Sequence, residues 1–318
     1  MRDAAATSAL AKPAATILDS TRLIAIDWGT TSARAYALDA AGEVLARRSA
    51  TLGVQYVANG DFAGALATLT EGLSGAAPML ACGMIGSRQG WVEVPYEGCP
   101  ARFEEIATGV VAVPGTRLSI VPGLLHRDDA GIADVMRGEE TQIVGTVLDD
   151  APQLVVLPGT HCKWALVRKR TIVAFSTFMT GELFAVLREH SILGRLMTAG
   201  DDAGALARGV AWSLRENAAL THDLFSARTL PLTGALAQSA AADYLSGLLL
   251  GAEIVAARRW IAQHAAADAA VTLVGDAALC ERYAVALHLA NLDARIGATT
   301  ASARGLWQIA LHAGLVHS

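Results

Sequence analysis

What the chain has little of sets its limits. Only 5% of its 318 residues are aromatic and 17% are charged, and there are four cysteines and nine prolines. The charges, 25 basic against 30 acidic, sum to −5 with no basic cluster, which excludes an electrostatic footprint for nucleic acid but not a polyanion held by backbone amides. Cys82, Cys99, Cys162 and Cys280 are scattered without a C-x-x-C pair, which excludes a zinc ribbon or a disulfide framework and points to reduced thiols in the cytoplasm. No apolar run of about 18 residues goes uninterrupted by Gly, Arg or Asp, so no membrane span and no membrane partner is expected. The Ala/Ser/Thr-rich start lacks the apolar centre of a secretory signal, and residues 1–21 are expected to be a disordered extension. Also missing are G-x-x-x-x-G-K-[ST], G-x-G-x-x-G, G-x-S-x-G and H-E-x-x-H.

What is present is apolar and small. Hydrophobic residues make up 53% of the chain, alanine alone about a fifth, and there are 30 glycines, enough burial to offset the entropy of folding. The length suits two domains. Leu23-Ile24-Ala25-Ile26 is a buried-strand run, Asp27 to Ser32 a turn, Ala33 to Leu38 a second strand, Asp39 to Gly42 a hairpin, Glu43 to Ser49 a third strand, and 61–75 a helix. The same order returns about 130 residues later: Leu154 to Leu157, the turn Pro158-Gly159-Thr160-His161, Cys162 to Val167, a hairpin at Arg168-Lys169-Arg170, Thr171 to Ser176, and a helix from 181 to 197. A repeated unit of this kind predicts two related α/β domains, residues 22–150 and 151–318, facing each other. Helices are expected near 203–225, 235–265, 277–290 and 305–316, with a strand at Val271 to Val274 before Gly275-Asp276.

A Gly-Thr turn closing a buried strand suits phosphate, because glycine admits the anion to the backbone and hydroxyls flank the exposed amides. Gly29, Thr30, Thr31 and Ser32 in one copy, and Gly159, Thr160 and His161 in the other, are the candidates; Asp27 either holds a hydrated Mg²⁺ or caps its own turn. Gly275 and Asp276, between a strand and a helix, admit a flat ring or simply cap the helix.

With these motifs in order, the chain resembles the sugar kinase, heat-shock chaperone and actin superfamily, and within it the 2-dehydro-3-deoxygalactonokinases. The resemblance is carried by Ile26-Asp27-Trp28-Gly29-Thr30-Thr31, Cys82 to Ser87, Asp134 to Gln142, Leu157 to Trp164, Phe178 to Leu183 and Leu245 to Glu253. It implies two duplicated ribonuclease-H-like (actin-like ATPase) domains with an interdomain active-site cleft, the last helix packing back on the first domain. It also implies ATP and Mg²⁺ as cofactors, and phosphorylation of the 6-hydroxyl of 2-dehydro-3-deoxy-D-galactonate. For that acid's carboxylate Arg88 is the candidate, with Ser87, Trp91 and Tyr96 lining the sugar site; the catalytic carboxylate is Glu139 or Glu140, with Asp134 as alternative and Asp27 beside the metal. Lys163 reaches phosphate or solvent. Another 2-keto-3-deoxy sugar acid as acceptor, a nucleotide-switched interaction protein and a phosphoanhydride hydrolase are the competing functions, and a homodimer is left open.

Overall fold

In the computed structural model, residues 19–73, 75–147 and 149–317 are described; the expected extension lies, but for its last three residues, outside them. Strand β1 (Leu23–Trp28) pairs antiparallel with β2 (Ala33–Leu38), and β2 with β3 (Val44–Ala50). On its other side β1 runs parallel to β4 (Met79–Cys82), and β4 parallel to β8 (Leu118–Ile120), with β7 (Val111–Ala112) at the edge. The first sheet therefore has the order β3-β2-β1-β4-β8-β7.

The second sheet repeats the plan. Strand β11 (Gln153–Leu157) pairs antiparallel with β12 (Cys162–Arg168), β12 with β13 (Thr171–Phe178), and β11 runs parallel to β14 (Ala270–Leu273), which runs parallel to β15 (Ala294–Ile296). Its outer edge carries β6 (Ala101–Arg102), a strand from the first half of the chain, on β13. A small third sheet joins β5 (Glu97–Gly98), β9 (Leu124–Arg127) and β10 (Ala133–Met136).

The correspondence reaches single residues. Both β4 and β14 are followed by a glycine at positive φ, Gly83 at 93° and Gly275 at 153°. A Cβ on Gly83 would stand 2.7 Å from the Trp28 carbonyl oxygen; one on Gly275 would stand 3.2 Å from that of Pro158, the matching residue. Only glycine lets the fourth strand leave so closely beneath the turn of the first.

Alternating side chains split each sheet between two cores. Leu23 and Ala25 of β1, with Val155 and Leu157 of β11, face a shared central layer built on α2 (Phe103–Thr108), α3 (Glu139–Thr146) and α10 (Ala301–His312). Ile24, Ile26 and Trp28 face outward to α1 (Phe62–Thr70). Leu154 and Val156 face outward to α5 (Ala203–Ser213), α8 (Ala241–Gln263) and α9 (Ala277–Leu289). Helices α3 and α10 touch backbone to backbone where Gly145 meets Ala301 and Gly305 meets Thr141, so the last helix of the chain lies beside β1.

Several element lengths differ from the periodicity. The helix expected over 181–197 is α4 (Thr180–His190), followed by a single turn at Gly194–Leu196. The one expected over 203–225 is broken after α5 into α6 (Leu220–Asp223), with α7 (Ser226–Leu232) following, because buried Asp223 accepts from Ala219 N, Trp212 Nε1 and Arg215 Nη2 and folds the chain back. Helix α8 with the turn before it is long and apolar enough to cross a membrane, yet 72% of its most apolar window is buried inside the protein.

Candidate active site

The two Gly-Thr turns meet across a cleft of about 620 Å³ between the sheets. Each turn is fixed by backbone bonds: Gly29 N donates to Ser32 O at 2.9 Å within the first, and Glu182 N of α4 donates to Thr160 O at 2.9 Å in the second. Of the residues singled out in the sequence, the cleft brings together Asp27, Gly29, Thr30, Glu139, Gly159, Thr160, His161, Gly275 and Asp276. Thr31, Ser32 and Lys163 do not line it.

Asp27 sits at the cleft floor, its Oδ2 accepting from Ser302 Oγ at 3.1 Å and standing 3.6 Å from Arg34 Nη1. Burial pushes its carboxyl above the ordinary range, and the Arg34 guanidinium and the Ser302 hydroxyl oppose that push. Glu139 opens α3, where the helix dipole favours an anion; its Oε2 accepts from Arg137 N at 3.0 Å and its Oε1 lies 4.0 Å from Lys163 Nζ. Burial raises the Glu139 carboxyl too, with Lys163 and backbone N–H groups pulling it down. Lys163 is 5% exposed, so it faces this carboxylate beneath the cleft and not solvent.

Glu140 is fully buried. Its oxygens accept from Gly138 N at 2.7 Å and Thr141 Oγ1 at 2.9 Å, and burial together with the neighbouring Glu139 holds it up at about 7. Asp134 is spent elsewhere: it accepts from Thr177 N at 2.7 Å and Thr177 Oγ1 at 2.6 Å, tying β10 to β13. Of the three carboxylates offered as catalytic alternatives, only Glu139 faces the cleft.

The predicted sugar-acid set is not assembled there. Arg88 is exposed and pairs with Glu93 at 3.7 Å. Ser87 Oγ donates to Met84 O at 2.7 Å, closing its own turn. Trp91 stacks on Phe62 at 6.1 Å in the outer core, and Tyr96 lies under the Arg137 guanidinium, 4.2 Å from ring centre to Cζ. The cleft's cationic side chains are instead Arg34, Arg47 and Arg137. Arg137 lies inside the Asp134–Gln142 block, so a sequence signal for it existed; Ser302 gave none, arriving 275 residues after its partner.

A second cavity, about 710 Å³, opens on the far side of Gly159, Thr160 and Asp276 and is walled by α4, α8 and α9. Asp276 caps α9 by accepting from Leu279 N at 3.1 Å, and Gly181 packs on the Gly159 carbonyl so closely that a Cβ would stand 2.3 Å from it. Beneath this cavity, buried Glu253 accepts from Trp164 Nε1 at 2.7 Å, Tyr283 Oη at 2.9 Å and Thr180 Oγ1. His161 Nε2 bonds Glu182, so the second turn is anchored to α4 by side chain as well as backbone.

Comparison with known proteins decides the family. Residues 27–309 match 2-keto-3-deoxy-galactonokinase. The chain belongs to that family. It is 36% identical over 293 residues to the 2-dehydro-3-deoxygalactonokinase of Escherichia coli (strain K12), covering 91% of this chain and 97% of that one. It is 39% identical over 303 residues to a Rhizobium meliloti (strain 1021) protein provisionally given the same activity, covering 90% and 97%. A crystal structure of a Sinorhizobium meliloti protein, also provisionally given that activity, superposes with a TM-score of 0.81 at 36% identity, covering 91% of this chain and 98% of that one. The fold of this galactonokinase-family member is accordingly the duplicated actin-like ATPase fold of sugar kinases, and its family's chemistry is phosphoryl transfer to an alcohol.

Proposed function

We propose that the protein transfers the γ-phosphoryl group of ATP to the 6-hydroxyl of 2-dehydro-3-deoxy-D-galactonate, in the cytoplasm. The observation that carries this is the convergence of two Gly-Thr turns, Asp27 and Glu139 on one cleft in a galactonokinase-family chain. Residues 22–150 supply the first turn and the acceptor side, and 151–318 the second turn and the nucleoside side, which the cavity behind Gly275 and Asp276 suits in size.

Backbone amides of both turns, and the Thr30 and Thr160 hydroxyls, meet the phosphates. Asp27 is the carboxylate that would hold Mg²⁺ beside phosphate oxygens, and the ion when bound would neutralise charge on the transferring group. Glu139 takes the proton from the 6-hydroxyl as that oxygen bonds to phosphorus, and the bridging oxygen leaves with ADP. The Lys163 ammonium favours the ionised form of Glu139, opposing the upward push of burial. The partners proposed are the sugar acid and ATP, without nucleic acid or membrane; sedimentation of the purified protein decides between monomer and homodimer.

The test is a coupled ADP assay with Mg-ATP across a panel of 2-keto-3-deoxy sugar acids. The galacto acid is expected to be the best acceptor, and Glu139→Gln to lower kcat by about a hundredfold or more with little change in either KM. No ADP above the acceptor-free rate with any sugar acid sinks the proposal.

A further inference from the structure

The cleft is lined by one guanidinium with buried nitrogens that find no acceptor among the described residues. The Arg137 guanidinium is buried at its Nε and Nη1, and among the described residues neither atom finds an acceptor. Its third nitrogen, Nη2, donates to the Val94 carbonyl at 2.8 Å. One face lies on the Tyr96 ring, and Gly86 comes so near that a Cβ there would stand 3.0 Å from Nη1. No carboxylate among the described residues pairs with it: Glu139 next door accepts from the Arg137 backbone and faces Lys163, and Asp134 is taken by Thr177. Guanidinium nitrogens withdrawn from water without an acceptor are destabilising, and a structure that keeps them either stores strain or awaits an anion.

Two anions come to this cleft under the proposed function, on which the inference rests: the phosphates and the acceptor's carboxylate. The phosphates have the two turns. Arg137 belongs to neither turn; it is gripped by Val94, Tyr96 and Gly86 of the glycine-rich segment in the first half, and it also lines the cavity. The acid presents its carboxylate at the opposite end of a six-carbon chain from the hydroxyl that reacts, so its anchor belongs to a residue other than Glu139.

We propose that Arg137, not Arg88, binds the carboxylate of the sugar acid. The Tyr96 ring and Val94 carbonyl hold the guanidinium in orientation, so little side-chain entropy is lost on binding, and the acid brings the missing charge. A neutral sugar of the same length leaves the guanidinium unpaired. That makes Arg137 a determinant of acid over sugar, by the rule that an unanswered buried polar group rejects the analogue that fails to answer it.

The experiment measures KM for the sugar acid, for its primary amide and for ATP, in wild type, Arg137→Gln and Arg137→Lys, with calorimetric ATP binding to show that each variant is folded. Arg137→Gln is expected to raise KM for the acid about 10- to 100-fold, to leave KM for ATP within about twofold, and to lose the preference for acid over amide; Arg137→Lys is expected to restore part of it. A rise for ATP instead, an equal loss with acid and amide, or no change in KM for the acid overturns the assignment. If the wild type ignores this particular acid, the substrate reading fails by itself. Arg137 is then judged on the best acceptor of the panel against its amide, and a panel in which neutral acceptors are preferred overturns both.

Discussion

Strand β1 carries Asp27 two residues before its Gly29-Thr30 turn, whereas β11 carries Leu157 at the matching place before Gly159-Thr160. The backbone is the same in both, down to the glycine that passes beneath the carbonyl of the residue between, Trp28 in one half and Pro158 in the other. What differs is the side chain each half sends into the cleft. The first half contributes Asp27 and Glu139; the second contributes His161 and Asp276, with Lys163 held beneath the cleft under Glu139, and the walls of the second cavity. Both copies have the same turn backbone, which any sequence with the right glycines can make. The charged side chains around it differ between them.

The comparison breaks most severely if Asp27 is dispensable. Asp27→Asn is expected to cut kcat by about a thousandfold while leaving the melting temperature and nucleotide binding nearly unchanged, since the amide keeps a contact with Ser302; a coupled ADP assay beside a thermal melt checks it. Retained turnover removes the asymmetry between the halves.

The paired glycines sharpen it. Gly83→Ala forces a side chain into positive φ and against the Trp28 carbonyl, and is expected to cost about 2–3 kcal/mol of stability; Gly275→Ala, with 0.5 Å more room (3.2 against 2.7 Å), is expected to cost about 1 kcal/mol. Chemical denaturation of the two variants measures the gap, and equal losses would mean that the copies carry the same strain.

Glu139 and Glu140 make a second contrast, between a carboxylate facing the cleft and one sealed below it. Glu140 is held up at about 7, so the folded protein binds its proton more tightly than the unfolded chain does. That contribution to stability is complete below the ordinary glutamate range and is lost as pH rises toward 7. Glu140→Gln carries no titrating proton, and its melting temperature is expected to vary less between pH 5 and 8 than that of the wild type. An unchanged pH slope refutes the burial argument.

The smallest effect is expected at Arg88. Exposed and paired only with Glu93, it is predicted to give less than a twofold change in any kinetic constant as Arg88→Ala, in contrast with Arg137.

Much of this was legible without coordinates. The strand–turn–strand repeat, both Gly-Thr turns, Asp27 and the Gly275-Asp276 connection follow from local pattern, because an apolar run of period two and a glycine at a fixed offset constrain the chain within a few residues. The sugar-acid side was not legible in the same way. Arg88 and Trp91 sit in a glycine-rich loop whose path local rules leave free, and it turns them to solvent and to the outer core. Choosing among Glu139, Glu140 and Asp134 likewise required knowing which face of α3 points into the cleft, and that Thr177 claims Asp134.

The sequence by itself determined the duplicated α/β plan and the two Gly-Thr turns, since both depend on the periodicity and backbone freedom of short segments. Only the tertiary structure decided which charges meet: Ser302 on Asp27, Lys163 under Glu139, and Arg137 left without an anion. Those contacts join residues from both sheets and the final helix, and electrostatic energy depends on separation in space and exclusion of water, neither of which is written in the order of residues along the chain.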